Sequence, residues 1–215
     1  ATSADEVRAA QRLRYQVFAG ELGARLGGRE PECDSDIFDP WCEHLVVRDS
    51  ECARIVGTYR LLTAERAARL GTFYADAEFD LTRLAHLRPR MVEIGRACIH
   101  PAYRNGTALM LLWHGIAEFM RRRRYDYLIG CASIGMQDGG DNARRVYEAS
   151  AASHLVPLEY RVFPRHRLLE RDGPPSAQGA FLHVRQHLRQ AVHRYDVWGK
   201  SWTGAGRRCG GLSAG

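Results

Sequence analysis

Apolar positions near the start of the chain recur at helical spacing. Val7, Ala10, Leu13, Val17 and Leu22 follow the capping pattern Ser3-x-x-Glu6, which predicts a first helix. Gly20, Gly23, Gly27 and Gly28 break it into a loop, and an acidic stretch (Glu30, Glu32, Asp34, Asp36, Asp39) leads to Trp41. His44–Arg48 and Arg54–Leu62 read as strands whose short polar link, Asp49-Ser50-Glu51, makes an antiparallel hairpin. A short helix around Ala64–Leu70 is followed by a strand over Met91–His100, closed by Pro101. Gly106–Arg124 has the most continuous helical pattern. A strand over Tyr127–Ile134, a helix over Asp141–Ala151 and a last strand over Pro157–Phe163 complete the pattern. Antiparallel strands first, then strand–helix–strand, predict an α/β (α+β) domain with a mixed, mostly antiparallel central sheet flanked by helices.

Periodicity fades after about Gly173. The expected organisation is one α/β domain over residues 1–172 and an atypical tail over residues 173–215. A hydrophobic share of 45% and a charged share of 26% are ordinary for a soluble domain, and no stretch has the length or order of a membrane span or signal peptide. The expected location is cytoplasmic, with peripheral contact at the inner membrane.

Net charge is +6, almost all from arginine, since Lys200 is the sole lysine. A basic surface favours an acidic partner, but the arginines are dispersed among acids and strands. That dispersal argues against nucleic acid. None of the six cysteines forms a CxxC pair, and Cys42-x-His44 and Cys98-x-His100 fit half-buried strand positions, so no metal site is expected.

The chemistry is expected in Met91–His100, MVEIGRACIH. Glu93 and Arg96 are ionisable groups inside a strand that should be largely buried. Residues three apart in a regular strand face opposite ways, and a bulge at Gly95 would bring both to one face. The strand end and the loop opening the long helix, Ile99 with Arg104, Asn105, Gly106 and Thr107, form a candidate anion site. Free amides and the helix dipole both favour a phosphate there.

These features resemble the GNAT superfamily, with the phosphate-loop signature present in part as Arg104-Asn-Gly106-Thr-Ala108. A narrower resemblance is to the ornithine-lipid N-acyltransferases. It is carried in family order by AAQRLRYQVFAGELGA, FDPWCEHLVVRD, IVGTYRLL, FYADAEFDL, VEIGRACIHPAYRNG and YLIGCASI, across roughly residues 1–170. The resemblance implies transfer of a 3-hydroxyacyl group from acyl carrier protein to the α-amine of ornithine, giving a lyso-ornithine lipid. It implies no tightly bound cofactor, the phosphopantetheine-linked acyl donor being a substrate.

The family is distantly similar to acyl-homoserine-lactone synthases. Arg14, Phe18, Asp36, Asp39, Arg60, Glu93 and Arg96 sit at those enzymes' characteristic positions. Glu93 and Arg96 are thereby candidate catalytic residues, and Arg14, Phe18, Asp36, Asp39 and Arg60 candidate substrate-binding residues. The acidic segment is the expected partner for ornithine's side-chain amine. Arg121–Arg124 is either a solvated helix end or a dock for the carrier protein or anionic lipid.

The resemblance also implies a strand before the first helix, expected to be truncated here. It stops near Gly173-Pro-Pro175, where a shifted reading frame would restore family-like text, so a disordered or frameshifted tail is expected. A homoserine-lactone-synthase-like enzyme and a conventional acetyl-CoA acetyltransferase are the alternative readings.

Overall fold

The computed structural model describes residues 1–28, 30–135, 138–154, 156–165, 179–182 and 185–186. α1 (Ala4–Tyr15) starts at the sequence-encoded cap: the Glu6 amide donates to the Ser3 hydroxyl at 3.2 Å. A π-helical turn over Gln16–Glu21 prolongs it. β1 (Glu43–Arg48) and β2 (Ile55–Thr63) form the expected hairpin. α2 (Ala64–Leu70) ends at Gly71, whose φ of +94° is the left-handed helix cap that glycine adopts without strain.

Next come α3 (Ala75–Glu78), β3 (Phe79–Asp80), β4 (Met91–Ile99) and α4 (Thr107–Arg123). β5 (Tyr127–Ile129), β6 (Cys131–Ile134) and α5 (Asp141–His154) follow. The expected strand over Pro157–Phe163 is instead a 3-10 turn, Leu158–Tyr160, followed by the two-residue β7 (Phe163–Pro164). Pro157 supplies no amide to a ladder, so regular pairing starts only beyond that turn.

The main sheet has the order β1-β2-β4-β5 and then β9 (Arg185–Gln186), and only β4–β5 is parallel. This is the mixed, mostly antiparallel sheet anticipated from the pattern. β8 (Gly179–Leu182) pairs with β6 in the same register that β9 keeps with β5. Two short strands therefore lie in the stretch that sequence periodicity left without elements. The remainder of the 173–215 tail lies outside the described residues.

Partners in an antiparallel ladder point to the same face. Register pairs His44 with Arg60, Arg60 with Gly95 and Leu62 with Glu93, so His44, Arg60 and Glu93 share one face. α1 lies at that face, with Leu13 and Val17 packed in a cluster with Cys98. The opposite face, with Leu61, Val92, Ile94 and Leu128, is covered by Ile116 and Met120 of α4. Burying each such side chain contributes about 1.5–3 kcal/mol, which gives the sheet a dry, rigid centre.

β4 and β5 pair only over Met91–Glu93 and Tyr127–Ile129. Beyond Gly130 the chain turns to β8, and the two parallel strands part. A Cβ on Gly130 would stand 2.8 Å from the Ile94 carbonyl, so only glycine permits this approach at the point of separation.

Candidate active site

The bulge in β4 lies one residue beyond its expected position. Gly95 keeps its ladder partner Arg60. Arg96 and Ala97 together oppose Tyr59, because the register shifts between the Arg60 and Thr58 pairs. Arg96 carries the strain with φ +52°, a left-handed conformation costing a non-glycine residue roughly 1–2 kcal/mol. The extra residue turns the Arg96 side chain toward Asp34 and Asp36, on the face that holds Arg60 and Glu93.

A neutral network of three arginines and three aspartates fills this region. Arg14, with no exposed surface, donates from Nε to Asp34 Oδ2 (2.8 Å) and from Nη2 to Asp39 Oδ1 (2.7 Å) and the Asp34 carbonyl (2.5 Å). Arg60 Nη1 donates to Asp36 Oδ1 (2.6 Å) and Asp39 Oδ2 (3.3 Å). Burial alone would raise the Asp36 carboxyl, but the charge and hydrogen bond of Arg60, with the Phe38 amide, hold it below the usual range.

His44 is also buried, and burial lowers its pKa, so it is neutral at pH 7. Its Nε2 lies 3.2 Å from the Asp39 carbonyl and its Nδ1 3.5 Å from Arg14 Nη1. Arginine can only donate, so Nδ1 accepts and the proton sits on Nε2.

Arg96 is the loosest member of the network. Its Nη2 is 3.4 Å from Asp36 Oδ2. Its Nε lies 3.2 Å from Asp34 Oδ2 but is out of line for a hydrogen bond, and is a buried donor without an acceptor among the described residues. The side chain is 30% exposed, whereas those of Arg14 and Arg60 are 0% and 6%.

Glu93 is 5% exposed and its two oxygens accept the backbone amides of Tyr74 and Ala75, each at 2.7 Å. Burial raises its pKa to about 7, against the opposing pull of those amides and of Arg60. The turn presenting the amides is locked by Asp76, which accepts the Phe73 amide and forms a two-pronged pair with Arg88 (2.8 and 2.5 Å). Phe38 lies between this turn and the network: its ring meets Tyr74 edge-on at 5.7 Å, and the Arg60 guanidinium is 5.8 Å from its centre.

Arg14, Asp36, Asp39, Arg60 and Arg96 thus come together, with Glu93 beside them. Arg14 and Asp39 are interior to the network and reach the cleft only through the groups they hold. Phe18 lies outside it, half-buried against Leu13, Val17, Ile55 and Cys98. The candidate donor residues follow the bulge directly. Arg104 is not a free cation, because it pairs with Glu21 (2.8 Å) and its Nε donates to the Ile99 carbonyl (3.1 Å). Asn105 Oδ1 accepts the Thr107 amide, and Gly106 opens α4 with φ +94°.

Asp34, His44 and the Tyr74–Ala75 amides were not singled out from sequence. Asp34 sits in the flagged acidic segment, but which of its carboxylates turns inward is decided by Arg14. Among the described residues no group of three or more His, Cys, Asp or Glu side chains is placed to hold a metal ion.

A family profile described as an acetyltransferase (GNAT) domain matches residues 13–114, the span holding every candidate residue. The L-ornithine N(alpha)-acyltransferase of Rhodobacter capsulatus is 44% identical over 141 residues, covering 62% of this chain and 54% of the relative. That of Brucella abortus is 42% identical over 143 residues, covering 62% and 51%. Over these residues the chain is similar to the L-ornithine N(alpha)-acyltransferases, and its mixed sheet has a GNAT-like fold. It spans about half the length of the curated relatives it matches.

Among solved structures, the CoA-dependent acyl-homoserine lactone synthase BjaI, with MTA, superposes with a TM-score of 0.57 at 18% identity, covering 96% of this chain and 89% of that one. The related synthase MesI gives 0.57 at 12% identity, covering 93% and 90%. These likenesses establish the shared fold.

Proposed function

We propose that this chain is an N-acyltransferase that moves a 3-hydroxyacyl group from acyl carrier protein to the α-amine of ornithine, giving a lyso-ornithine lipid. The observation that carries the reading is the pairing, on one strand, of a buried carboxylate with pKa about 7 and a bulge three residues on, where the parallel strands separate. Aminolysis of a thioester needs a base for the ammonium proton, a donor for the oxyanion and an open edge for the donor arm.

In the proposed step the α-nitrogen attacks the thioester carbonyl carbon and Glu93 takes the nitrogen's proton, directly or through water. The tetrahedral oxyanion is held by an amide of the Arg96–Ala97 bulge. It collapses by breaking the carbon–sulfur bond, and the thiolate leaves and is then protonated. Arg96, half-buried and under-bonded, takes the acceptor's carboxylate. The phosphopantetheine arm enters between β4 and β6, with its phosphate at the Ile99–Thr107 loop, where Gly106 leaves open space and Arg104 can exchange Glu21 for the phosphate.

Cysteine nucleophilic catalysis has little support. Burial pushes the Cys42, Cys98 and Cys131 thiols up to about 12.

Lipid mass spectrometry of a host without ornithine lipids, expressing this chain, tests the reading. A new hydroxyacyl-ornithine species is expected, with at least about a hundredfold loss in Glu93→Gln. A folded chain that yields no acylated amino acid overturns it.

A further inference from the structure

Ornithine carries a second ammonium, and the sequence pointed to the acidic segment as its partner. The structure shows those carboxylates already matched: Asp34 by Arg14 and Arg96, Asp36 by Arg60 and Arg96, and Asp39 by Arg14 and Arg60. A further cation at Asp34 or Asp39 would have to displace the buried Arg14 or Arg60, leaving a guanidinium unpaired.

One carboxylate at the same cleft is unmatched. Glu78, the last residue of α3, is half-buried, and among the described residues no cation lies within ion-pair distance of its side chain. Among the described residues its side-chain partner is the Tyr74 hydroxyl, which donates to Oε1 at a long 3.5 Å.

Its position ties it to the candidate site. Glu93 and Glu78 are the two charged neighbours that add to burial in raising the Cys131 thiol, so both carboxylates flank the first residue of β6. The Tyr74 hydroxyl feels the opposing charges of Glu78 and Arg96, while the Tyr74 amide holds Glu93. Tyr74 therefore links the base, the proposed carboxylate anchor and Glu78 around one opening.

We propose that Glu78, with the Tyr74 hydroxyl, is the subsite for the second ammonium of a diamino-acid acceptor, making it the residue that selects ornithine-like acceptors over monoamino acids. This rests on the reading that an amino acid is the acceptor. Arg96 takes the carboxylate, Glu93 faces the α-amine and Glu78 binds the far ammonium, so each ionic group of the acceptor meets a group of opposite charge.

The test compares ornithine with 2-aminopentanoate, which has the same carbon chain without the terminal amine. Calorimetric binding and KM are measured on the chain, on Glu78→Gln and on Glu78→Asp. The parent should prefer ornithine by about 10- to 100-fold. Glu78→Gln should erase that preference by weakening ornithine alone, with 2-aminopentanoate unchanged, and Glu78→Asp should restore part of it. An ornithine preference equal in parent and Glu78→Gln overturns the assignment while leaving the acceptor reading intact. Failure of the folded parent to bind or acylate either amino acid overturns the acceptor reading, and the Glu78 subsite with it.

Discussion

Glu93 shows how one buried position sets a chemical property. A carboxyl group with its ordinary pKa of 4.5 is held at about 7 by burial, while two amides and Arg60 keep the shift from growing. Because the folded-state value is raised, its contribution to stability is full below pH 4.5 and is lost as pH rises through 7. Relative to Glu93→Gln, the chain should therefore lose roughly 3 kcal/mol of unfolding free energy across that window, measured by urea titration at each pH. A difference that does not change with pH would show that Glu93 ionises normally. The same group, acting as a base, places the acid limb of kcat/KM near pH 7. Arg14 and Arg60, by contrast, are held in buried ion pairs with Asp34, Asp36 and Asp39.

At the scale of elements, the site depends on how β4 departs from a regular strand. A ladder without a bulge would put Arg96 on the α4 face, among Leu61, Ile94 and Ile116. Instead the inserted residue accepts a left-handed conformation and delivers the guanidinium to Asp34 and Asp36. Parting of β4 from β5 is the other departure, and Gly130 sits at its origin. Gly130→Ala should cost about 1–3 kcal/mol, since the neighbour it meets is the Ile94 backbone and not a movable side chain. Chemical denaturation would read that loss, and donor KM should rise with it as the opening shifts. An Ala variant as stable as the parent would show that the strands are not held that closely.

Across the whole molecule, the basic end of α4 presents less charge than its sequence implies. Arg121 and Arg122 both bond Glu118, whose carboxyl their hydrogen bonds pull down to about 2, and Arg123 lies 5.8 Å from the centre of the Phe119 ring. Four cations and one anion still leave a positive surface, suited to weak, screened attraction of an acidic carrier protein. KM for a carrier-linked donor should rise roughly tenfold with added salt, and replacing Arg121–Arg124 by Ala should flatten that rise without changing KM for a small thioester. Equal salt dependence in both proteins would place docking elsewhere. No helix among the described residues is long and apolar enough to cross a membrane.

Local chemistry in the chain determined much of this. Ser3 and Glu6 specify where α1 begins, the polar link after Arg48 specifies the hairpin, and Leu and Met spacing specifies α4, because these signals act within a few residues. Ionisable groups in an apolar strand likewise marked Glu93 and Arg96, since burying charge is costly wherever the strand lies. What the chain could not declare locally were choices that need distant partners. Which acidic residue turns inward depends on Arg14 reaching Asp34 across 20 positions. Arg96, and not Gly95, takes the bulge because its ion pairs with Asp34 and Asp36 compensate the strain. Glu78 has no cation partner among the described residues, while Arg14 and Arg60 are held by the aspartates. Such outcomes are sums over charges brought together by the sheet, and only the tertiary structure decides which pairs form.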